Sequence, residues 1–109
     1  MSRLPFNQER GVRWAERRKV SIEASIRGQG HVRFDVDVLD LSISGFRIET
    51  SFTLNVGTRL WLTIPGFQGL ESIIIWHEGF TYGCAFAIPL HPAVCDHLIR
   101  HFPFIDYRH

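Results

Sequence analysis

Two arginines four positions apart, Arg13 and Arg17, have a spacing that suits the binding of one compact anion. On a helix their guanidinium groups would share one face, and in an extended segment they would still lie close enough to grip a phosphate. The spacing is a weak signal by itself, because a solvated basic run looks the same. We treat the pair as a candidate anion clamp.

A second group of polar side chains follows in the segment Asp40-Leu41-Ser42-Ile43-Ser44-Gly45. Polar residues occupy alternate positions, and the segment ends on a glycine that is free to take a positive φ. Such a segment can present polar atoms to a ligand. It can also be an ordinary turn in which Asp40 or Ser42 accepts from the backbone amide two residues on, while Gly45 adopts a left-handed conformation.

Residues suited to metal binding or catalysis are few. His97 and His101 lie four apart near Cys95. This spacing can bind zinc, but no fourth ligand accompanies it, and histidines exposed on a helix are more common. No nucleophile paired with a base stands out. We expect no enzymatic activity, no metal site and no cofactor.

The charge of the chain is concentrated at its N-terminus. Residues 1–19 hold six cations and two carboxylates, a net charge of +4, whereas the whole chain has only +1. Arginine, the main cation of this segment, suits bidentate phosphate contacts and stacking on flat rings. We expect residues 1–19 to form a flexible basic arm, since its like charges repel and its apolar residues show no sustained period.

The middle of the chain has the period-two alternation of half-buried strands. Breaks at Gly28-Gln29-Gly30, Asn55-Val56-Gly57, Pro65-Gly66 and Glu78-Gly79 separate the alternating segments. Four predicted strands have inward residues, listed here strand by strand: Val20, Ile22, Ala24 and Ile26; Val32, Phe34, Val36 and Val38; Phe46 and Ile48; Leu60, Leu62 and Ile64. Two further strands are predicted at Ser72–His77 and Tyr82–Ile88.

The C-terminal segment 89–103 has the pattern of an amphipathic helix. Pro92 suits its first turn, Val94, Leu98 and Phe102 recur at a spacing of four, and Pro103 ends it. Asp96 and Arg100 form an outward pair.

About six short strands with little room for crossover helices predict an all-β fold. The expected architecture is a six-stranded antiparallel β-barrel with a C-terminal α-helix, because closure removes exposed strand edges. We expect three segments: the basic arm 1–19, the barrel and helix 20–103, and a tail 104–109.

The two motifs in this order resemble the signature of PilZ domains, which combine Arg-x-x-x-Arg with Asp-x-Ser-x-x-Gly. Ile74-Ile75-Trp76 and Tyr82-Gly83-Cys84-Ala85-Phe86 are also similar to segments of that family. The resemblance runs from about residue 10 to residue 102. It implies the PilZ barrel and, as ligand, cyclic dimeric guanosine monophosphate (c-di-GMP).

The resemblance also implies roles for single residues. Arg13 and Arg17 would contact the phosphates and guanines, since guanine offers O6 and N7 to an arginine fork. Asp40 and Ser42 would hydrogen-bond a guanine or its ribose, and Gly45 would let the backbone come close. Trp76 could offer a stacking surface or could be a packed barrel tryptophan.

The position of the second clamp arginine is open. Arg18 and Lys19 stand between the first motif and the predicted strand, so that Arg18 could share or take the role of Arg17. Val12 stands where the family has an arginine in members that bind a stacked ligand pair, which favours one ligand per chain here.

A receptor of this kind would signal through a protein effector in trans, by a change in the conformation of its arm. Two alternatives remain: a PilZ-like adaptor that works by protein contacts without c-di-GMP, and a small barrel that binds single-stranded nucleic acid. The mildly acidic body of the chain argues against a polynucleotide track. Without a leader or a long apolar run, and with two thiols expected to stay reduced, we expect a cytoplasmic location and no membrane insertion.

Overall fold

The computed structural model describes residues 16–28, 32–67 and 69–106 of the chain. These residues form six strands and one helix: β1 (Arg18–Arg27), β2 (Arg33–Leu41), β3 (Gly45–Glu49), β4 (Arg59–Thr63), β5 (Leu70–Glu78), β6 (Thr81–Phe86) and α1 (Pro92–His101). Neighbouring strands pair antiparallel in a closed barrel of order β1-β2-β3-β6-β5-β4. The predicted fold class is confirmed.

The barrel interior is filled by most of the alternating apolar residues that the sequence pattern indicated. In β1, for example, Val20, Ile22, Ala24 and Ile26 are all buried, while Glu23 between them is exposed. Burying one such side chain contributes roughly 1.5–3 kcal/mol, so this shared interior is the main stabilising feature of the fold. The largest fully buried side chains are Tyr82, Phe46, Ile22, Ile26, Leu41, Ile48, Leu60, Leu62, Ile64, Ile74, Leu98 and Val20. Two details of the pattern are wrong: Val32 lies before β2 and is exposed, and the last strand ends at Phe86 and not at Ile88.

Strand β1 begins at Arg18, two residues earlier than the alternation suggested. The alternation did not indicate these two residues because Arg18 and Lys19 are both polar and exposed, whereas pairing with β2 continues to Arg18 through a β-bulge between Lys19 and Ile22. The strand therefore follows Arg17 directly. The proposed turn at residues 28–30 lies partly outside the described residues.

Helix α1 packs against the barrel. His91 caps it, its Nδ1 accepting from the amide of Ala93 at 2.9 Å, and Pro92 opens the first turn. Cys95 and Leu98 are buried, but Val94 is 38% exposed, so the prediction that Val94 belongs to the apolar face is wrong. Residues three apart, not only four, share a helix face, and the stripe runs through Cys95 instead.

The segment after α1 returns to the start of the barrel. The amide of Ser21 donates to the carbonyl of Phe102 at 3.2 Å, Val20 pairs with Pro103, and the amide of Ile105 donates to Ser21 Oγ at 2.9 Å. The bulge in β1 thus receives the C-terminal segment. No helix within the described ranges has the length and apolar character needed to cross a membrane.

Candidate functional site

Asp40 is the buried charge on which the two sequence motifs converge. Its side chain is 6% exposed and lies on β2. Arg17 Nη1 donates to Oδ1 at 2.8 Å, and Arg47 Nε donates to Oδ2 at 2.5 Å. Two arginines on one carboxylate compensate the desolvation of the buried charge. The first motif therefore contacts the second across 23 positions of sequence.

Two β-bulges place Asp40 on the outside of the barrel. One lies in β1 between Lys19 and Ile22, and the other lies in β2 between Val38 and Asp40. After the second bulge, Asp40 stands opposite Arg47, whereas Val38 stands opposite the buried Ile48. The bulge thus turns Asp40 outward between two inward residues of the same strand.

Arg47 is a site residue that the sequence reasoning missed. It lies on β3 as the cross-strand partner of Asp40, and 37% of its side chain is exposed. The sequence did contain a signal for Arg47, since this residue occupies an outward position on the strand that follows the Asp40 motif. Only the register decided that it would stand directly opposite Asp40.

Ser42 holds the turn between β2 and β3. Its Oγ accepts from the amides of Ser44 at 3.1 Å and Gly45 at 3.2 Å, and its own amide donates to the carbonyl of Gly45 at 2.9 Å. The turn interpretation of this segment is therefore correct for Ser42. The side chain is 1% exposed, so its contribution to a surface site comes through the shape of the turn.

Gly45 is needed for a close approach and not for a left-handed conformation. The positive φ expected for it is wrong, because among the described glycines only Gly57, Gly66 and Gly79 have one. A Cβ on Gly45 would lie 2.1 Å from the carbonyl oxygen of Cys84 on β6. The bulged turn draws the start of β3 tightly against β6, and only a glycine fits there.

Trp76 lies on the outer surface, folded over Gly83. A Cβ on Gly83 would lie 2.1 Å from the indole Nε1 and 2.2 Å from Cε2. Gly83 is paired with Arg47 on one side and with Trp76 on the other. A bulge in β5 between Ile74 and Trp76 turns this tryptophan outward, as the bulge in β2 does for Asp40. The indole remains 36% exposed.

One row of paired residues now crosses five strands on the outside of the barrel. We call it the outer row; it consists of Lys19, Asp40, Arg47, Gly83 and Trp76. The row places two cations, a carboxylate and a partly exposed aromatic ring on one continuous surface. Its donors suit anionic oxygens, and its indole offers a face for a flat ring.

Arg18 points to a different part of the molecule from Arg17. It pairs with the buried Leu41 in the strand register and lies near α1. Burial raises the pKa of the Cys95 thiol, Asp96 adds to the rise, and the charge of Arg18 opposes it. Arg17, and not Arg18, contacts Asp40. Arg13, the other predicted clamp residue, lies outside the described residues.

A groove of about 880 Å³ adjoins the outer row. Lys19 and Arg47 line it beside Phe104 and Ile105 of the C-terminal segment, and Lys19 Nζ lies 5.1 Å from the centre of the Phe104 ring. Away from the outer row the groove becomes acidic, where Glu23, Asp37 and Glu49 pair across β1, β2 and β3. Cations therefore occupy the end at Asp40, and carboxylates occupy the other end.

The histidines near Cys95 do not form a metal site with it. The rings of His97 and His101 stack at 5.6 Å, and His97 also contacts Phe67. Across residues 16–28, 32–67 and 69–106, no three His, Cys, Asp or Glu side chains are grouped to hold a metal ion.

Comparisons with known proteins agree with the barrel and with the motifs. A family model described as PilZ domain matches residues 11–102. The fold is similar to the PilZ domain of CeSA from a cellulose-synthesizing bacterium, with a TM-score of 0.57 and 18% identity, covering 78% of this chain and 92% of that one. No curated protein matches the sequence. Since the family model spans most of the chain, including both motifs, this protein belongs to the PilZ domain family.

Proposed function

We propose that this PilZ domain is a receptor for c-di-GMP and binds it on the outer row without chemical conversion. The observation that carries the proposal is the contact between Arg17 and Asp40, which unites the two motifs at one place on the surface. The family is generally one of c-di-GMP receptors.

The chemistry of the ligand fits the residues at this surface. C-di-GMP has two phosphodiester anions, which suit Arg17 and Arg13, and two guanines with both donor and acceptor edges. Asp40 accepts from a guanine, and Trp76 stacks on a base. Ser42 and Gly45 take part by fixing the turn that carries Asp40.

Ligand binding requires Arg17 to change partners. In the structure Arg17 donates a hydrogen bond to Asp40. Since 41% of the Arg17 side chain is exposed, a phosphate can reach it. A ligand that draws Arg17 away from Asp40 moves the chain just before β1. We propose that the arm 1–19 changes conformation in this way, and that a protein effector recognises the result in trans. The expected place of action is the cytoplasm.

An adaptor that works without ligand is the second candidate. It is favoured by the same ion pairs, because Asp40 is already satisfied by Arg17 and Arg47 and needs no ligand to compensate its charge. Binding of single-stranded nucleic acid is a weaker alternative. The row Glu23, Asp37 and Glu49 beside the outer row would repel a polynucleotide backbone.

Isothermal titration with c-di-GMP tests the proposal, with GTP and cyclic AMP as controls. We expect saturable binding of c-di-GMP and none of either control at the same concentration. Absence of c-di-GMP binding by the folded protein would reject the receptor and leave the adaptor. Strong binding of an oligonucleotide that weakens steeply with salt would favour the nucleic-acid alternative.

A further inference from the structure

We propose that Arg47 selects guanine at the ligand site, acting as a pair with Asp40. This inference rests on the proposed function and deepens it, because it assigns specificity to a residue that belongs to neither sequence motif. Only Nε of Arg47 donates to Asp40, and its two terminal nitrogens have no hydrogen-bond partner among the described residues.

The pair presents a donor beside an acceptor. The guanidinium of Arg47 offers its free N–H groups, and 37% of this side chain is exposed. A carboxylate has about four lone-pair positions, of which Arg17 and Arg47 occupy two on Asp40. Only 6% of the Asp40 side chain is exposed in the structure, so Asp40 accepts from a guanine once Arg17 moves to a phosphate, while Arg47 stays on Oδ2.

The donor on Arg47 and the acceptor on Asp40 match the hydrogen-bonding edge of guanine and mismatch that of adenine. Guanine has the acceptor O6 next to its ring N–H and amino donors, which suits a donor on Arg47 beside an acceptor on Asp40. Adenine carries an amino donor where guanine has O6, so that it would turn a donor toward Arg47. A site built for specific hydrogen bonds rejects an analogue that leaves its polar groups unpaired.

The outer row also places Arg47 at the edge of the stacking surface. Gly83 separates Arg47 from Trp76 in the row, and the indole is folded back over Gly83. Neighbouring strands lie about 4.8 Å apart, so the backbones of Arg47 and Trp76 are roughly two strand spacings apart. The indole, which lies over Gly83, shortens this distance on the surface. A purine stacked on the indole can therefore place one hydrogen-bonding edge within reach of Arg47.

The test compares the affinities of the parent and Arg47→Lys for c-di-GMP and for cyclic dimeric AMP, by competition against a fluorescent c-di-GMP. Lysine keeps a positive charge beside Asp40 but lacks the planar fork. We expect the preference for c-di-GMP to fall about tenfold or more, the usual scale for one bidentate base contact. Arg59→Lys is the matched control, because Arg59 is an exposed barrel arginine paired with Glu71, and it should leave the preference unchanged.

Each outcome decides the inference. If Arg47→Lys weakens the binding of both ligands equally, or of neither, Arg47 only positions Asp40 and the proposal is wrong. If the parent binds both dinucleotides equally well, guanine selection fails while a dinucleotide receptor remains. If the parent binds neither, the receptor function itself fails. Thermal unfolding checks that Arg47→Lys is folded. If Arg47→Lys is not folded, the measurement is made with Arg47→Gln, which also lacks the guanidinium fork.

Discussion

Arg17 Nη1 and Asp40 Oδ1 lie 2.8 Å apart, in an ion pair that links the residue before β1 to the end of β2. The carboxylate is buried and the arginine is partly exposed, so the two residues respond differently to substitution. The pair lies on the outside of a barrel whose interior is apolar.

Arg17→Ala should weaken c-di-GMP binding at least tenfold and should also lower stability, because it removes one of the two arginine partners of the buried Asp40 carboxylate. One charge-assisted hydrogen bond, whether to the ligand or to Asp40, is worth about 1.5–3 kcal/mol. Arg47 still compensates the buried carboxylate in the variant, so the loss of stability should stay below the roughly 3–5 kcal/mol of an uncompensated buried charge. Titration and thermal unfolding measure the two effects. Arg59→Ala, which breaks the exposed pair with Glu71, is the control and should leave binding intact.

Asp40→Ala should also impair binding, because the carboxylate that accepts from guanine is gone. A variant of either residue that binds as tightly as the parent would contradict the assignment of the site. The double variant should lose less affinity than the sum of the single losses, since Arg17 and Asp40 are in contact.

Gly45→Ala should destabilise the barrel, because its Cβ would lie 2.1 Å from the backbone oxygen of Cys84. Separating two paired strands to admit a methyl group costs about 1–3 kcal/mol. Chemical denaturation measures the loss. Gly28→Ala is the matched control, since apart from its chain neighbours no atom of the described residues lies within 4 Å of the added Cβ, and it should change stability by less than about 0.5 kcal/mol. Equal stability of the two variants would show that β3 and β6 are not held as closely as described.

The N-terminal arm should gain protection from amide exchange when ligand binds. Arg13, Arg17 and Arg18 carry like charges that a phosphate neutralises, so the bound state favours an ordered arm. Exchange of residues 9–18, with and without c-di-GMP, measures the change. Equal protection in both states, with binding confirmed, would reject the conformational switch of the arm but would not contradict the receptor function.

Stability should fall between pH 9 and pH 12 because of Cys84. Burial raises the pKa of this thiol from 9.0 to about 12, so above pH 9 the unfolded chain releases a proton that the folded chain keeps. The unfolded state then binds fewer protons, and the free energy of unfolding decreases as pH rises. At pH 10 the loss relative to pH 8 is about 1 kcal/mol. Denaturation of Cys84→Ala at both pH values should show a loss smaller by this amount; an identical loss would mean that Cys84 does not titrate differently in the two states.

The strands and most core residues followed from the sequence alone, because alternation of period two is a local property of the chain. It predicted that Ile22, Ile48 and Leu62 face inward, and all three are buried. The two motifs were visible for the same reason, since each lies within a few consecutive residues. Their family was recognisable from these residues, and the match over residues 11–102 shows it.

The tertiary structure decided which side chains meet across strands. Bulges in β2 and β5 turn Asp40 and Trp76 onto one outer surface, and a bulge in β1 sets Lys19 opposite Asp40. Each bulge shifts the strand register, which sequence reasoning takes as regular. The same register brings Arg47 against Asp40 and Gly83 beneath Trp76. The sequence by itself thus determined the strands, the core and the motifs, because local periodicity specifies them. The outer row and the reason for Gly45 depend on strand pairing between distant residues, which only the closed barrel establishes.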